Sequence, residues 1–101
     1  MEIGVKNEGR CLEIYLKGEL DHHSVKGLMT RLEREIEAAL PLQLILDMSS
    51  VAFMDSSGIA VVMRICQRMK ALGGSLKLRK VGMQPRKVLD AAGINRLIEI
   101  E

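Results

Sequence analysis

Apolar and polar residues alternate over two short stretches near the start of the chain. Residues 2–6 and residues 11–17 each alternate, and their apolar positions are Ile3, Val5, Leu12, Ile14 and Leu16. The sequence Asn-Glu-Gly lies between the two stretches and is typical of a tight turn. Two alternating runs joined by a glycine-containing turn predict a β-hairpin.

After residues 18–24, which break the alternation, the apolar residues recur at three- and four-residue steps. This stripe consists of Val25, Leu28, Met29, Leu32, Ile36, Ala39 and Leu40. Such spacing predicts an amphipathic helix with one buried face. We expect Asp21 or Ser24 to cap it, and Pro41 to end it because the residue before a proline avoids the helical region.

A nearly continuous apolar run at residues 42–47 follows this helix. The run is too short for a helix and predicts a central strand covered on both faces. Residues 49–58 then predict a polar turn, and a long helix is expected from about Ser56 to Leu72. Its apolar residues form a stripe wider than one buried face needs, so its first turn is a candidate for exposure to a partner.

The rest of the chain predicts two more strands with a helix between them. Gly73 and Gly74 suit the positive φ angles that close a helix. Residues 75–80 alternate as a strand, and Pro85 suits the first turn of a helix that runs to about residue 92. Gly93 stops this helix, and residues 97–100 predict a last short strand. The order β-β-α-β-α-β-α-β indicates one α/β domain over residues 1–101, with a mixed, mostly parallel sheet packed with helices.

The composition predicts a core of aliphatic side chains in a cytoplasmic protein. Apolar residues make up 48% of the 101, but only Tyr15 and Phe53 are aromatic, so seven methionines are expected to help fill the core. The net charge of +2 is spread along the chain without the basic face that nucleic-acid binding favours. Cys11 and Cys66 are expected to be reduced. We expect no membrane association, because neither a signal peptide nor a membrane-length apolar run is present.

Most enzyme classes lack their required motifs in this sequence. There is no phosphate-binding Gly-x-x-x-x-Gly-Lys-Ser/Thr loop, and Gly73-Gly74 precedes a strand, in the wrong order for a dinucleotide site. His22 and His23 have no third ligand at zinc-like spacing and are interpreted as a solvated pair. A hydrolase triad of Ser56, His22 and Asp21 would lack the Gly-x-Ser-x-Gly nucleophile elbow. We therefore predict no cofactor, no metal and no catalytic residue.

Two loops remain as candidate sites, at residues 18–24 and 53–58. Each ends a strand and opens a helix, and ligands of parallel α/β sheets bind where the strands end. If the two strands run in the same direction, Asp21 and Ser56 share one surface. A helix start favours an anion or a phosphorylated side chain, so Ser56 is a candidate switch hydroxyl. An ordinary strand-to-helix connection with a good cap is the alternative.

These two loops also carry a resemblance to a known family. The sequences GELDHH at residues 18–23 and FMDSSG at residues 53–58 resemble the two most recognisable segments of the anti-sigma factor antagonists, which are STAS-domain proteins. The resemblance extends through the order and spacing of the elements to about residue 101, and it is nearest to the sporulation antagonists. Residues 59–60, Ile-Ala, depart from the Leu-Gly that many relatives carry.

The resemblance implies a protein that binds an anti-sigma factor, itself a serine kinase, and thereby releases the sigma factor. In that family the kinase phosphorylates a serine in the Asp-Ser-Ser-Gly turn, which ends tight binding, and a serine phosphatase removes the phosphate. By position the acceptor is Ser56, with Ser57 as the fallback. We expect no enzymatic activity, no direct contact with nucleic acid, and a monomer in the free state.

The same resemblance implies which residues contact the partner. Asp55 is expected to orient the loop or the hydroxyl, and Gly58 to permit close approach of the backbone. Gly18, Glu19 and Asp21 match the segment that lies beside the phosphorylation loop in the family. The alternative is a STAS module of another regulatory assembly, either a stress-signalling antagonist or a transporter-associated domain.

Overall fold

Five strands and three helices follow one another in the predicted order. In the computed structural model, which describes residues 1–101, the strands are β1 (Glu2–Glu8), β2 (Cys11–Leu20), β3 (Gln43–Met54), β4 (Ser75–Arg79) and β5 (Glu99–Ile100). The helices are α1 (Val25–Ala39), α2 (Ser56–Ala71) and α3 (Met83–Ala91). The sheet order is β1-β2-β3-β4-β5, with β1 antiparallel to β2 and the other neighbours parallel. The predicted fold class is confirmed.

The helices bury their apolar stripes against one face of the sheet. Alternate residues of the three central strands point into one hydrophobic cluster, to which they contribute Leu12, Ile14, Leu16, Leu44, Leu46, Leu76 and Leu78. The same cluster contains the buried residues of all three helices, including Leu32, Ile65 and Leu89. The aliphatic core is confirmed, because the two aromatic side chains are exposed. Met48, Met54 and Met69 lie in the core as predicted, whereas Met83 is exposed.

Residues 44–48 of β3 are buried on both faces, as predicted, but the helices cover only one of these faces. The face opposite the helices carries an ion network, in which Arg79 lies 2.9 Å from Glu13 and 3.3 Å from the buried Asp47. Asp47 also accepts hydrogen bonds from the backbone N–H and the hydroxyl of Ser49, at 3.0 and 2.6 Å. An apolar run thus marked a central strand correctly, but side chains of neighbouring strands cover its second face.

Both β2 and β3 extend beyond their predicted ends. Residues 18–20 belong to β2, and residues 49–54 belong to β3 rather than to a turn. From Asp47 to Ser50, β3 advances by three residues while β2 advances by two. From Val51 to Phe53, β3 advances by two residues while β2 advances by one. Over this stretch β3 therefore has two residues more than β2. These irregularities hide the alternation on which a strand prediction depends.

The ends of α1 and of the last strand have identifiable local causes. Leu40, before Pro41, adopts a left-handed conformation with φ 45°, which ends α1 as predicted. Ser24 occupies the N-cap position without a side-chain cap bond. The last strand is limited to two residues because a short 3₁₀ helix, Ile94–Arg96, precedes it and buries Ile94. No helix is both long and apolar enough to cross a membrane.

The ion network predicts an acid-dependent loss of stability. Burial tends to raise the pKa of Asp47, but hydrogen bonds from Ser49 and Arg79 lower it overall. The hydrogen bond from Arg79 also lowers the pKa of Glu13. A carboxylate with a lowered pKa stabilises the fold at neutral pH, and this contribution is lost as pH falls through the folded-state pKa.

We expect Arg79→Met to reduce the free energy of unfolding at neutral pH by about 1–3 kcal/mol, because Asp47 keeps its charge without its cation. The difference in free energy of unfolding between the variant and the wild type should become smaller as pH falls below about 4, where carboxylates protonate in the unfolded chain. Urea unfolding at several pH values measures this. Lys17→Ala is the control, since its 3.9 Å pair with Glu2 is exposed on both sides. A difference in free energy of unfolding that stays constant with pH would contradict the stabilisation of ionised Asp47 by Arg79.

Candidate functional site

The two candidate loops meet because β2 and β3 are parallel and end side by side. Leu20, the last residue of β2, pairs with Met54, the last residue of β3. The backbone N–H of Asp55 then donates to the carbonyl of Leu20 at 3.1 Å. The two loops therefore leave the sheet at one edge, which is the condition on which the predicted shared surface of Asp21 and Ser56 depends.

The carboxylate of Asp55 connects the two loops. One oxygen accepts from the backbone N–H of Ser57 at 2.8 Å, which makes Asp55 the N-cap of α2. The other oxygen accepts from the backbone N–H of His22 at 3.3 Å. A single carboxylate thus holds the start of α2 against the segment that follows β2, so the predicted role of Asp55 in orienting the loop has a direct geometric basis.

The two serines of the turn differ in accessibility. Ser56 is the first residue of α2 and is exposed, whereas Ser57 is half-buried. Ser57 lines a groove of about 420 Å³ between α1 and α2, together with residues that include Met29 and Arg64. The Asp55 carboxylate accepts from the backbone N–H of Ser57, and Ser56, between these two residues, stays exposed.

The loop after β2 is built around the side chains of Asp21 and Ser24. One oxygen of Asp21 accepts from the backbone N–H groups of His23 and Ser24, both at 3.0 Å. The hydroxyl of Ser24 donates to the carbonyl of Glu19 at 2.6 Å. The backbone hydrogen bond from Ser24 lowers the pKa of Asp21, so this loop carries a negative charge at neutral pH. The side chain of Glu19 is exposed at the same edge.

The two glycines of the motifs have specific backbone roles. Gly18 has a φ of 126°, which other residues rarely adopt, and lies inside β2. Gly58 is buried in the first turn of α2, where an added Cβ would lie 2.7 Å from Cγ of Met54 and 3.3 Å from Cβ of Leu20. The predicted close backbone approach at Gly58 is present and brings α2 down onto the ends of β2 and β3.

The histidine pair is exposed, and its rings lie 5.8 Å apart in an edge-to-face arrangement. His22 contacts the site through its backbone N–H rather than its ring. The Asp21 carboxylate is likewise engaged by backbone amides. These contacts give the histidines and Asp21 a role in loop structure.

Gln84, in the first turn of α3, is not among the predicted site residues. Its side-chain amide accepts from the backbone N–H of Met54 at 2.8 Å and donates to the carbonyl of Met54 at 2.9 Å. No local pattern marks a glutamine of this kind, because its partner lies 30 residues earlier in the chain.

Comparison with known proteins identifies the family. The STAS domain model matches residues 2–101, so the chain belongs to the STAS domain family. It is 25% identical over 100 residues to the "Anti-sigma F factor antagonist" of Paenibacillus polymyxa, covering 99% of this chain and 86% of that protein. It is 28% identical to the "Anti-sigma-B factor antagonist" of Bacillus subtilis (strain 168), covering 99% and 90%.

Solved structures of SpoIIAA show the same fold. The unphosphorylated anti-sigma factor antagonist SpoIIAA matches with a TM-score of 0.83 and 26% identity, covering 99% of this chain and 88% of that chain. SpoIIAA in its phosphorylated form, described as a Bacillus cell fate determinant, matches with a TM-score of 0.74 at the same 26% identity, covering 99% and 91%.

The packing of Gly58 predicts a destabilising alanine substitution. Alanine is favoured over glycine inside a helix by about 1 kcal/mol. Overlap with the fully buried Met54 should outweigh this gain, so we expect Gly58→Ala to lower the free energy of unfolding by about 1–2 kcal/mol net. Denaturant unfolding measures the difference.

Gly27→Ala is the matched control, because Gly27 is also helical and a Cβ there meets nothing within 4 Å. This control should be stabilising by up to about 1 kcal/mol. If both substitutions stabilise the protein equally, the close approach at Gly58 has no energetic consequence.

Proposed function

We propose, because the chain belongs to the STAS domain family, that it is an anti-sigma factor antagonist. It binds an anti-sigma factor that is also a serine kinase, and this binding releases the sigma factor. The kinase phosphorylates Ser56, which switches the antagonist off, and a serine phosphatase restores it. The protein acts in the cytoplasm as a binding switch rather than as an enzyme.

The observation that carries this proposal is the exposed position of Ser56 next to Asp55, whose carboxylate connects the two loops. A kinase needs an accessible acceptor, and Ser56 is exposed on the first turn of α2. The same turn joins the loop after β2 through Asp55. We therefore expect a partner that contacts Ser56 to contact Glu19 and Asp21 as well, which match the family's second segment.

The proposed switch is electrostatic and steric. A phosphate adds about −1.5 to −2 charges and three acceptor oxygens. The start of α2 partly stabilises this charge, but Asp55, the preceding residue, and Asp21, in the loop bonded to Asp55, repel it. A partner surface fitted to a neutral serine would meet a bulky dianion. An interface loss of about 3 kcal/mol weakens affinity about a hundredfold.

The first prediction concerns the site of modification. When the purified protein is incubated with its candidate anti-sigma kinase and ATP, we expect one phosphate on Ser56, located by mass spectrometry. Ser56→Ala should abolish the modification, and Ser57→Ala, the matched control, should retain it. Phosphate on Ser57 in the wild type would show that the acceptor is Ser57 and not Ser56. Binding without phosphorylation would indicate a STAS module that is regulated in another way.

The second prediction concerns the response of the fold. Because Ser56 lies outside the core, phosphorylation should leave the sheet and helices unchanged. Backbone amide spectra of the free and phosphorylated protein should differ near residues 18–24 and 53–60 only. Widespread shifts in β2 and β4, for example at Ile14 and Leu78, would show instead that the switch works by refolding.

A further inference from the structure

The end of β3 lacks a neighbouring strand on one side. β4 pairs with β3 only from Gln43 to Asp47, so residues 48–54 extend beyond it. On the other side β3 continues to pair with β2 as far as Met54. Met54 is completely buried, and a buried backbone N–H or C=O without a partner is costly.

Gln84 supplies both missing partners. Its Oε1 accepts from the N–H of Met54 at 2.8 Å, and its Nε2 donates to the carbonyl of Met54 at 2.9 Å. One side-chain amide thus makes both of the hydrogen bonds that a strand would make with this residue. Met54 is followed directly by Asp55 and then by Ser56, so the clamped residue directly precedes the turn that carries Ser56.

We propose that Gln84 is a positioning residue for the Ser56 site. It clamps the carboxyl end of β3 to α3 and thereby sets the position of Asp55, whose carboxylate bridges to His22 and Ser57. The role of the clamp in phosphorylation rests on the proposed function. Its role in holding the loop does not, since it follows from the hydrogen bonds alone.

Gln84→Glu is a conservative variant whose hydrogen bonds to Met54 depend on pH. In Gln84→Glu a carboxylate accepts from the N–H of Met54 but cannot donate to its carbonyl. A protonated carboxyl group has one donor and one acceptor, and so restores both bonds. Because the neutral form makes the full clamp, the folded-state pKa of the new carboxyl group should rise, and the clamp should return as pH falls through it.

The experiment measures amide hydrogen exchange by NMR in the purified protein, as protection factors. The readouts are the amides of Asp55 and Ser57, neither of which is bonded to Gln84. We expect Gln84→Ala to lower their protection about tenfold or more. Gln84→Glu should do the same at pH 7 and recover toward wild type near about pH 4.5. Lys87→Ala, on the same helix and exposed, should match wild type.

A second readout connects the clamp to the switch. In kinase assays, kcat for Ser56 phosphorylation should fall about tenfold in Gln84→Ala with KM changed less than about twofold, because a mobile acceptor loses orientation. Unchanged protection at Asp55 and Ser57, or no acid recovery in Gln84→Glu, would overturn the clamp. If the wild type is not phosphorylated at all, the proposed function fails, while the exchange result still decides the role of Gln84.

Discussion

The side-by-side ending of β2 and β3 is the constraint on which the proposed functional surface depends. Because the strands are parallel and Leu20 pairs with Met54, two segments far apart in the sequence leave the sheet at the same place. The Asp55 carboxylate then joins them through the amides of His22 and Ser57. Without this pairing, the FMDSSG turn would be an ordinary capped helix start.

Two other contacts fix the same edge from different directions. Gly58 lets α2 approach Met54 and Leu20 more closely than a Cβ would allow. Gln84 occupies the side of β3 that β4 leaves open. The turn that carries Ser56 is therefore held from the β2 side, from α2 and from α3, while Ser56 remains exposed. This arrangement suits a switch that changes charge at a surface and leaves the core unaltered.

The sequence was sufficient for the order of elements, the aliphatic core and the shared edge of the two loops. Periodicity and glycine positions report local structure, so they predicted α2 well. They failed where a distant residue decides the outcome. The charged Asp47 was predicted to be the end of a strand, because its partner Arg79 lies 32 residues away in the sequence. The extra residues of β3 hid its pairing with β2 as far as Met54.

The role of Asp55 could be predicted in part from the sequence, whereas that of Gln84 could not, because long-range hydrogen bonds are involved in both. Asp55 is marked by its place in a capping motif, although its bond to His22 required the fold. Gln84 carries no such mark, because a glutamine in the first turn of a helix is common and its partner is a backbone group of another element. Long-range hydrogen bonds to the backbone leave no periodic signal in the sequence.

We propose that phosphate on Ser56 controls binding to the anti-sigma factor. Calorimetric titration of that partner with the unphosphorylated protein and with protein stoichiometrically phosphorylated at Ser56 tests this proposal. We expect Kd to rise about a hundredfold or more on phosphorylation, equivalent to about 3 kcal/mol. Equal affinity of the two forms would contradict it.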